Sequence, residues 1–396
     1  MKNIKNARVV QDFREVLSKH PIAFTDTLIV AIGIVLAIGL RYSLRAFQSQ
    51  DFVNIIQYWY QVIKKDGFAA LGQDFSNYAP PYLYMLYLVS LVFPRVASVT
   101  AVKLPAIICD FVCAAYVYKV VRLKYAEGPI PIFAFLAILF APTVVLNSAA
   151  WSQIESIYTA ALVAFVYYIL KKQNWLACIA FGIAFSIKLQ TIYLAPLLIA
   201  LLLKKTISWK HLLVIPVVYF VLIIPAWIAG RPFVELLTIY ASQVGGYSGL
   251  VHNAPNMYTW LPANLSDMLT PAGVIFALSI CFIYVVVITK SRIAISKDLV
   301  IQLALVSALI VPYFLPKTHD RYFYPADVLS IVFAFYYPEY FYLSLAINLI
   351  SFFVYLPFLF GMEIIPQPLL ALALLIVIIV LIRQMVAAFY KAAPES

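Results

Sequence analysis

Along the chain, long apolar runs alternate with short polar stretches, the runs lying at about 27–40, 82–94, 104–121, 174–188, 190–203, 211–229, 271–289, 298–315, 325–337, 341–360 and 366–383. The runs are apolar on every face and lack the apolar–polar alternation of a membrane β-barrel strand, so each predicts a helix that crosses a bilayer. With about 20 apolar residues per crossing and about 30 more per pair of crossings in loops, the chain has room for roughly ten to thirteen crossings, and a bundle of roughly 11 to 13 is expected. The expected fold is an all-α polytopic membrane protein, a single helical bundle. One stretch differs. Phe52, Ile55, Ile56, Trp59 and Ile63 recur at helical spacing on one face, and Asn54, Gln57, Gln61 and Lys65 supply polar positions. This predicts an amphipathic helix lying in the outer membrane interface.

Composition agrees with the pattern: 64% of the 396 residues are hydrophobic and 11% charged, whereas a soluble domain carries about 25% charged residues. The net charge of +11 is scattered over short loops, which speaks for membrane orientation and against a nucleic-acid partner. Lys2, Lys5, Arg8, Arg14 and Lys19 precede the run from Thr27 to Leu40, and no small-residue cleavage site follows it. That is the pattern of an uncleaved signal anchor with a cytoplasmic N-terminus. Residues 1–26 are then a cytoplasmic segment, 27–390 one transmembrane domain and 391–396 a cytoplasmic tail. The host membrane is the plasma or inner membrane in a bacterium and the endoplasmic reticulum in a eukaryote.

Lys171/Lys172, Lys204/Lys205/Lys210, Lys290/Arg292/Lys297 and Arg383/Lys391 sort to the cytoplasmic side, because translocated loops are poor in Lys and Arg. Residues 41–80, 230–270 and 316–322 are left outside. Runs 82–94 and 104–121 raise a parity conflict: two crossings cannot join an outer loop to the Lys119/Arg122/Lys124 cluster. Either one run is re-entrant or that cluster is an exception. Cys109, Cys113, Cys178 and Cys281 lie in apolar runs without a CxxC pair and read as small hydrophobes. No internal repeat is visible.

Among the 17 acidic residues, the outward candidates are Asp51, Asp66, Asp74, Glu155, Glu235, Asp267, Asp320, Asp327 and Glu363. Asp51 stands where the amphipathic helix starts. It suits an N-cap, and it equally suits a base that accepts a hydroxyl proton at the membrane surface. The same loop ends Asn77-Tyr78-Ala79-Pro80-Pro81, a rigid extended entry to the next run. The loop Leu315-Pro316-Lys317-Thr318-His319-Asp320-Arg321-Tyr322 is dense in ionisable groups. Lys317, His319 and Arg321 together suit a phosphate, Arg by two parallel hydrogen bonds and His or Lys by added charge; the plainer reading is a solvated loop with an Asp320/Arg321 contact.

Trp151-Ser152-Gln153-Ile154-Glu155 opens a further span with a carboxylate at membrane depth, and Lys188 sits between two apolar runs. Such groups are costly in a bilayer and are functional candidates, with mutual pairing as the alternative. Asp110, seven residues after Lys103, suits polar packing. His252 to Trp260 follows Gly245-Gly246-Tyr247-Ser248-Gly249 and suits a substrate loop or a linker. No P-loop, dinucleotide fingerprint, HExxH or DxD pair is present, so no cofactor and no metal is expected.

Taken together, Asp51-Phe52 with Gln57-Tyr58-Trp59, Asn77-Tyr78-Ala79-Pro80-Pro81, Trp151-Ser152-Gln153-Ile154-Glu155, Lys188-Leu189-Gln190, Asn253-Ala254-Pro255-Asn256 and His319-Asp320-Arg321-Tyr322 resemble, in order, the GT-C superfamily of integral membrane glycosyltransferases. The likeness covers about residues 20–340. It is nearest to the polyprenyl-phosphate-sugar-dependent hexosyltransferases, including dolichyl-phosphate-glucose glucosyltransferases and bacterial mannosyltransferases. The resemblance implies an outward-facing site, a polyprenyl-phosphate hexose donor, a glycan, glycolipid or protein hydroxyl as acceptor, and inversion at the anomeric carbon. It implies Asp51 as general base, His319, Arg321 and Lys188 as donor-phosphate contacts, and Trp59, Asn77, Tyr78, Glu155, Gln190 and Asn256 as substrate contacts. Bacterial relatives usually read Trp-Gly-Gln-x-Asp and Lys-Pro-Gln, where this chain has Ser152, Glu155 and Leu189. The competing function class is a flippase or transporter of lipid-linked saccharides, which predicts a mid-membrane site; a lipid-linked glycan polymerase or ligase is a third.

Overall fold

The structure is a computed structural model that describes residues 24–244 and 249–391. The N-terminal basic cluster, the tail beyond residue 391 and most of the glycine-rich stretch expected to be flexible lie outside the described residues. The chain forms helices α1 (Phe24–Ser43), α2 (Gln57–Asp66), α3 (Pro80–Val92), α4 (Leu104–Arg122), α5 (Ile130–Phe140), α6 (Glu155–Leu170), α7 (Asn174–Ile187) and α8 (Ala195–Leu203). It continues through α9 (Val214–Ile228), α10 (Phe233–Val244), α11 (Ser266–Lys290), α12 (Lys297–Phe314), α13 (Tyr324–Tyr336), α14 (Phe341–Phe360) and α15 (Gln367–Lys391). Strands β1 (Val251–His252) and β2 (Thr318–His319) pair in parallel, Val251 with Thr318 and His252 with His319.

Seven described helices are long and apolar enough to cross a membrane, and a bent pair makes an eighth. That pair, α5 followed by Pro142–Trp151 with a 48° bend, is absent from the apolar runs predicted above. The break follows from Pro142, which holds Ala141 extended at ψ 123° because the proline ring disfavours helical geometry in the preceding residue. Four shorter segments complete the bundle. α6 starts beside Lys188, the 189–203 segment ends where Lys204 reaches Ser291, α7 starts beside Thr206, and α13 ends with the Tyr336 hydroxyl on the Val120 carbonyl at 2.9 Å. Length and apolarity together qualify seven of the described helices as crossings, or eight with the bent pair; the shorter segments do not meet that criterion alone.

Helix α3 bears on the parity conflict. Its entry, Tyr78, bonds Gln153 at 3.0 Å, and just past its exit Pro94 accepts from Lys64 of α2 at 3.2 Å. Both ends therefore lie at the end of the bundle that carries α2. At 13 residues, or about 20 Å, α3 is shorter than the roughly 30 Å of a bilayer core, so the run at 82–94 forms a helix too short to be a full span by itself.

α12 occupies the centre, with every residue from Leu299 to Tyr313 buried. α9 and α11 are peripheral and turn Val217, Val221, Ile275, Leu278 and Phe282 outward, as lipid-facing helices do. Two buried ionic contacts fix α1. Arg41 donates from Nε to Asp110 at 2.8 Å, with Ser148 on the same carboxylate oxygen at 2.6 Å. Lys103 does not pair with Asp110; it takes the carbonyls of Leu44 and Phe47 at 2.9 and 2.7 Å, satisfying acceptors that the end of a helix leaves open.

Candidate active site

The amphipathic helix is present, preceded by one π-helical turn, Phe52–Ile56. Phe52, Ile56, Trp59, Tyr60 and Ile63 are buried. Ile55, predicted on that face, is 43% exposed, because the extra residue in a π turn rotates the register. Asp51 is not the cap. Ser49 fills that role, its hydroxyl accepting the Phe52 amide at 3.1 Å and donating to the Trp151 carbonyl at 2.7 Å. The Asp51 carboxylate instead accepts the Trp151 indole N–H at 2.8 Å and the Gln153 side-chain amide at 2.6 Å, both on Oδ2.

Those two donors sit at a second π turn, Leu146–Trp151, which ends at Ser152 with φ +67° in the left-handed region. A serine there is strained and a glycine is not, and the Ser152 hydroxyl is buried without a hydrogen-bond partner. The turn aims Trp151 and Gln153 at Asp51. Trp151 stacks on Phe358 at 4.7 Å and meets Tyr355 edge-on at 5.0 Å, so its orientation is set by packing. Gln153 is held in turn by the Tyr78 hydroxyl, and Tyr78 lies 5.0 Å from the Trp59 ring.

On the other side of Trp151 are the cations. The Arg321 guanidinium lies 5.4 Å from the Trp151 ring centroid. Its Nε is 3.5 Å from Glu155 Oε1, and its Nη1 is 3.5 Å from Asp320 Oδ1. Lys188 pairs with the same Glu155 oxygen, with Tyr78, Tyr158 and Tyr322 ring centroids 5.7 to 5.8 Å from its ammonium. Lys188 lies where α7 stops in extended backbone, and Glu155 lies in the first turn of α6, where the helix dipole favours a carboxylate. Asp320 accepts the Arg321 amide at 2.9 Å. Burial pushes its carboxyl up to about 7, against the pull of Arg321.

His319 stacks on His252 at 4.6 Å. Burial first, and then the charges of Arg321, His252 and Lys188, push its imidazole down to about 2. Burial and these neighbours thus favour the neutral form of His319. The cationic charge of the site belongs to Arg321 and Lys188.

Asp51, Tyr78, Trp59, Glu155, Lys188, His319 and Arg321 thus share one neighbourhood. Asn256 does not point into it. Buried, it donates to Thr318 and accepts the Tyr258 amide at 3.0 Å, so it ties the 249–265 loop to β2. Asn77 is exposed, and its carbonyl accepts from Gln243; Gln190 is half-buried beyond Lys188. Trp151 and Gln153, quoted above only as part of a motif and given no role of their own, hold an acid about a hundred positions away. Their signal was a tryptophan and a glutamine at a break between two apolar runs. Among the described residues no three His, Cys, Asp or Glu side chains converge to hold a metal ion.

The fold is an all-helical membrane bundle. Two solved structures of ArnT from Cupriavidus metallidurans are similar to it. The form bound to undecaprenyl phosphate matches with a TM-score of 0.56 and 13% identity over 90% of this chain and 70% of that one. The apo form matches with a TM-score of 0.54 and 13% identity over 92% and 77%. At that identity the likeness is one of fold. No protein-family model and no curated protein matches the chain.

Proposed function

We propose that the protein is a membrane glycosyltransferase that moves a hexose from a polyprenyl-phosphate donor to an acceptor hydroxyl, with inversion. One observation carries the reading: Trp151 joins the two halves that such a reaction needs, its N–H on the Asp51 carboxylate and its ring against the Arg321 guanidinium. In an inverting displacement the attacking hydroxyl and the leaving phosphate stand on opposite faces of the anomeric carbon. A carboxylate at one edge of an indole and a cation over its face offer that separation.

Asp51 is anchored through Oδ2 alone, which leaves Oδ1 to take the hydroxyl proton as the oxygen attacks the anomeric carbon. The bond to the phosphate oxygen breaks, its electron pair stays with the phosphate, and Arg321 with Lys188 offsets the charge that grows there. The fold likeness to a protein solved with undecaprenyl phosphate supports a lipid-phosphate donor. The test is release of polyprenyl phosphate by the purified protein in nanodiscs, given a panel of polyprenyl-phosphate hexoses and membrane lipid as acceptor. Turnover with one hexose that vanishes in Asp51→Asn supports both the transferase and its base. Export of lipid-linked sugar that is indifferent to Asp51→Asn, with no transfer, supports a flippase instead.

A further inference from the structure

Glu155 lies between the two cations of the candidate site. Its Oε1 contacts both Lys188 and Arg321, while Oε2 is buried with no hydrogen-bond partner. Arg321 is held loosely. Its contacts to Glu155 and Asp320 are each 3.5 Å, longer than the roughly 2.7–2.9 Å of a strong charge-assisted bond, and its Nε makes no hydrogen bond. A planar fork with unspent donors is suited to bidentate contact with an incoming phosphate.

We infer that Glu155 is an internal counter-anion that stands in for phosphate: it holds Lys188 and Arg321 in the empty site and competes with the lipid phosphate for them, thereby promoting release of the polyprenyl-phosphate product. The inference rests on the transferase reading above. A polyprenyl-phosphate hexose is a phosphodiester with a single negative charge. Once its bond to the anomeric carbon breaks, the product is a phosphomonoester with up to two. Two cations without a competing anion therefore bind the product more tightly than the donor, and release is slow. A buried carboxylate stripped of both partners carries a large desolvation cost, and that cost opposes retention of the product. Glu155 acts in this account as a positioning residue through Lys188 and Arg321, without touching the sugar.

The experiment is binding of radiolabelled undecaprenyl phosphate to the full chain in nanodiscs, for wild type, Glu155→Gln, Glu155→Asp and Arg321→Ala. Glu155→Gln is expected to bind the probe roughly tenfold more tightly and to lower kcat through slower release. Glu155→Asp, one methylene too short to reach both cations, is expected to fall between it and wild type, and it carries the test if the glutamine variant does not fold. A merely structural glutamate predicts weaker binding in both variants. Equal or weaker binding by these variants, with saturable binding by wild type that Arg321→Ala abolishes, overturns the counter-anion role and leaves the transferase reading standing. Absence of saturable binding by wild type overturns both.

Discussion

The indole nitrogen of Trp151 lies 2.8 Å from a carboxylate oxygen of Asp51, across 100 residues of sequence and between two π turns. Hydrogen bonds to charged groups contribute about 1.5–3 kcal/mol. Trp151→Phe keeps a ring beside Phe358 and Arg321 but removes the donor. It is expected to lower kcat roughly ten- to a hundredfold with little change in donor KM. Asp51→Asn is expected to lower kcat by roughly 10² to 10⁴ while leaving donor binding intact. Steady-state kinetics on folded protein decide both, and a KM effect without a kcat effect would move the base elsewhere.

Ser152 is strained twice over, by its left-handed backbone and by a buried hydroxyl without a partner. Ser152→Gly removes both costs and adds the flexibility of glycine to the unfolded chain. The net expectation is a stabilisation of roughly 0.5–1 kcal/mol, read as a raised thermal midpoint in detergent with kcat unchanged. A lowered midpoint would show that the serine has a favourable role.

Asp320 sets a pH dependence. Its carboxyl is raised from 3.8 to about 7 by burial, so the folded state holds a proton that the unfolded state releases. The contribution to stability is full below about 3.8 and is lost as pH rises through about 7. Thermal midpoints of wild type are expected to fall relative to Asp320→Asn between pH 4.5 and 8, and to run parallel above that. Parallel curves across the whole range would mean that the carboxylate is charged throughout.

Arg41 and Asp110 are 2% and 0% exposed, so removing one partner strands a buried charge. Asp110→Ala is expected to destabilise by about 3–5 kcal/mol, and the double change Arg41→Met with Asp110→Leu to recover most of it. Denaturant or thermal unfolding of the three variants measures this. Additive losses would show that the two residues act independently.

The fold was largely legible because lipid imposes a simple rule: a run of apolar residues at the required length becomes a crossing helix. The two failures have local causes. Pro142 breaks a span into a bent pair, and α3 is apolar enough to cross but is held at both ends by Tyr78 and Lys64. Lys188 and Glu155 stood out as charges at membrane depth, and Arg321 as part of an outer loop dense in ionisable groups. Mutual pairing was the alternative raised for Lys188 and Glu155, and the two do pair; that Arg321 meets the same oxygen was not readable, because it arises only through tertiary packing. Trp151 was read only as part of a motif, and nothing local announced that its nitrogen would reach Asp51. The charge state of His319 likewise depends on burial and on neighbours from other elements.

The paired π turns give chain length itself a role. A π turn holds one residue more than an α turn, so deleting a single residue from 146–151 restores ordinary helix and swings what lies beyond it by about 100° around the axis. Trp151 and Asp51 would then face different ways while every side chain in the neighbourhood stayed chemically intact. A one-codon deletion can thus erase this constellation, and a one-codon insertion in an ordinary helical bundle can create the bend on which one is built.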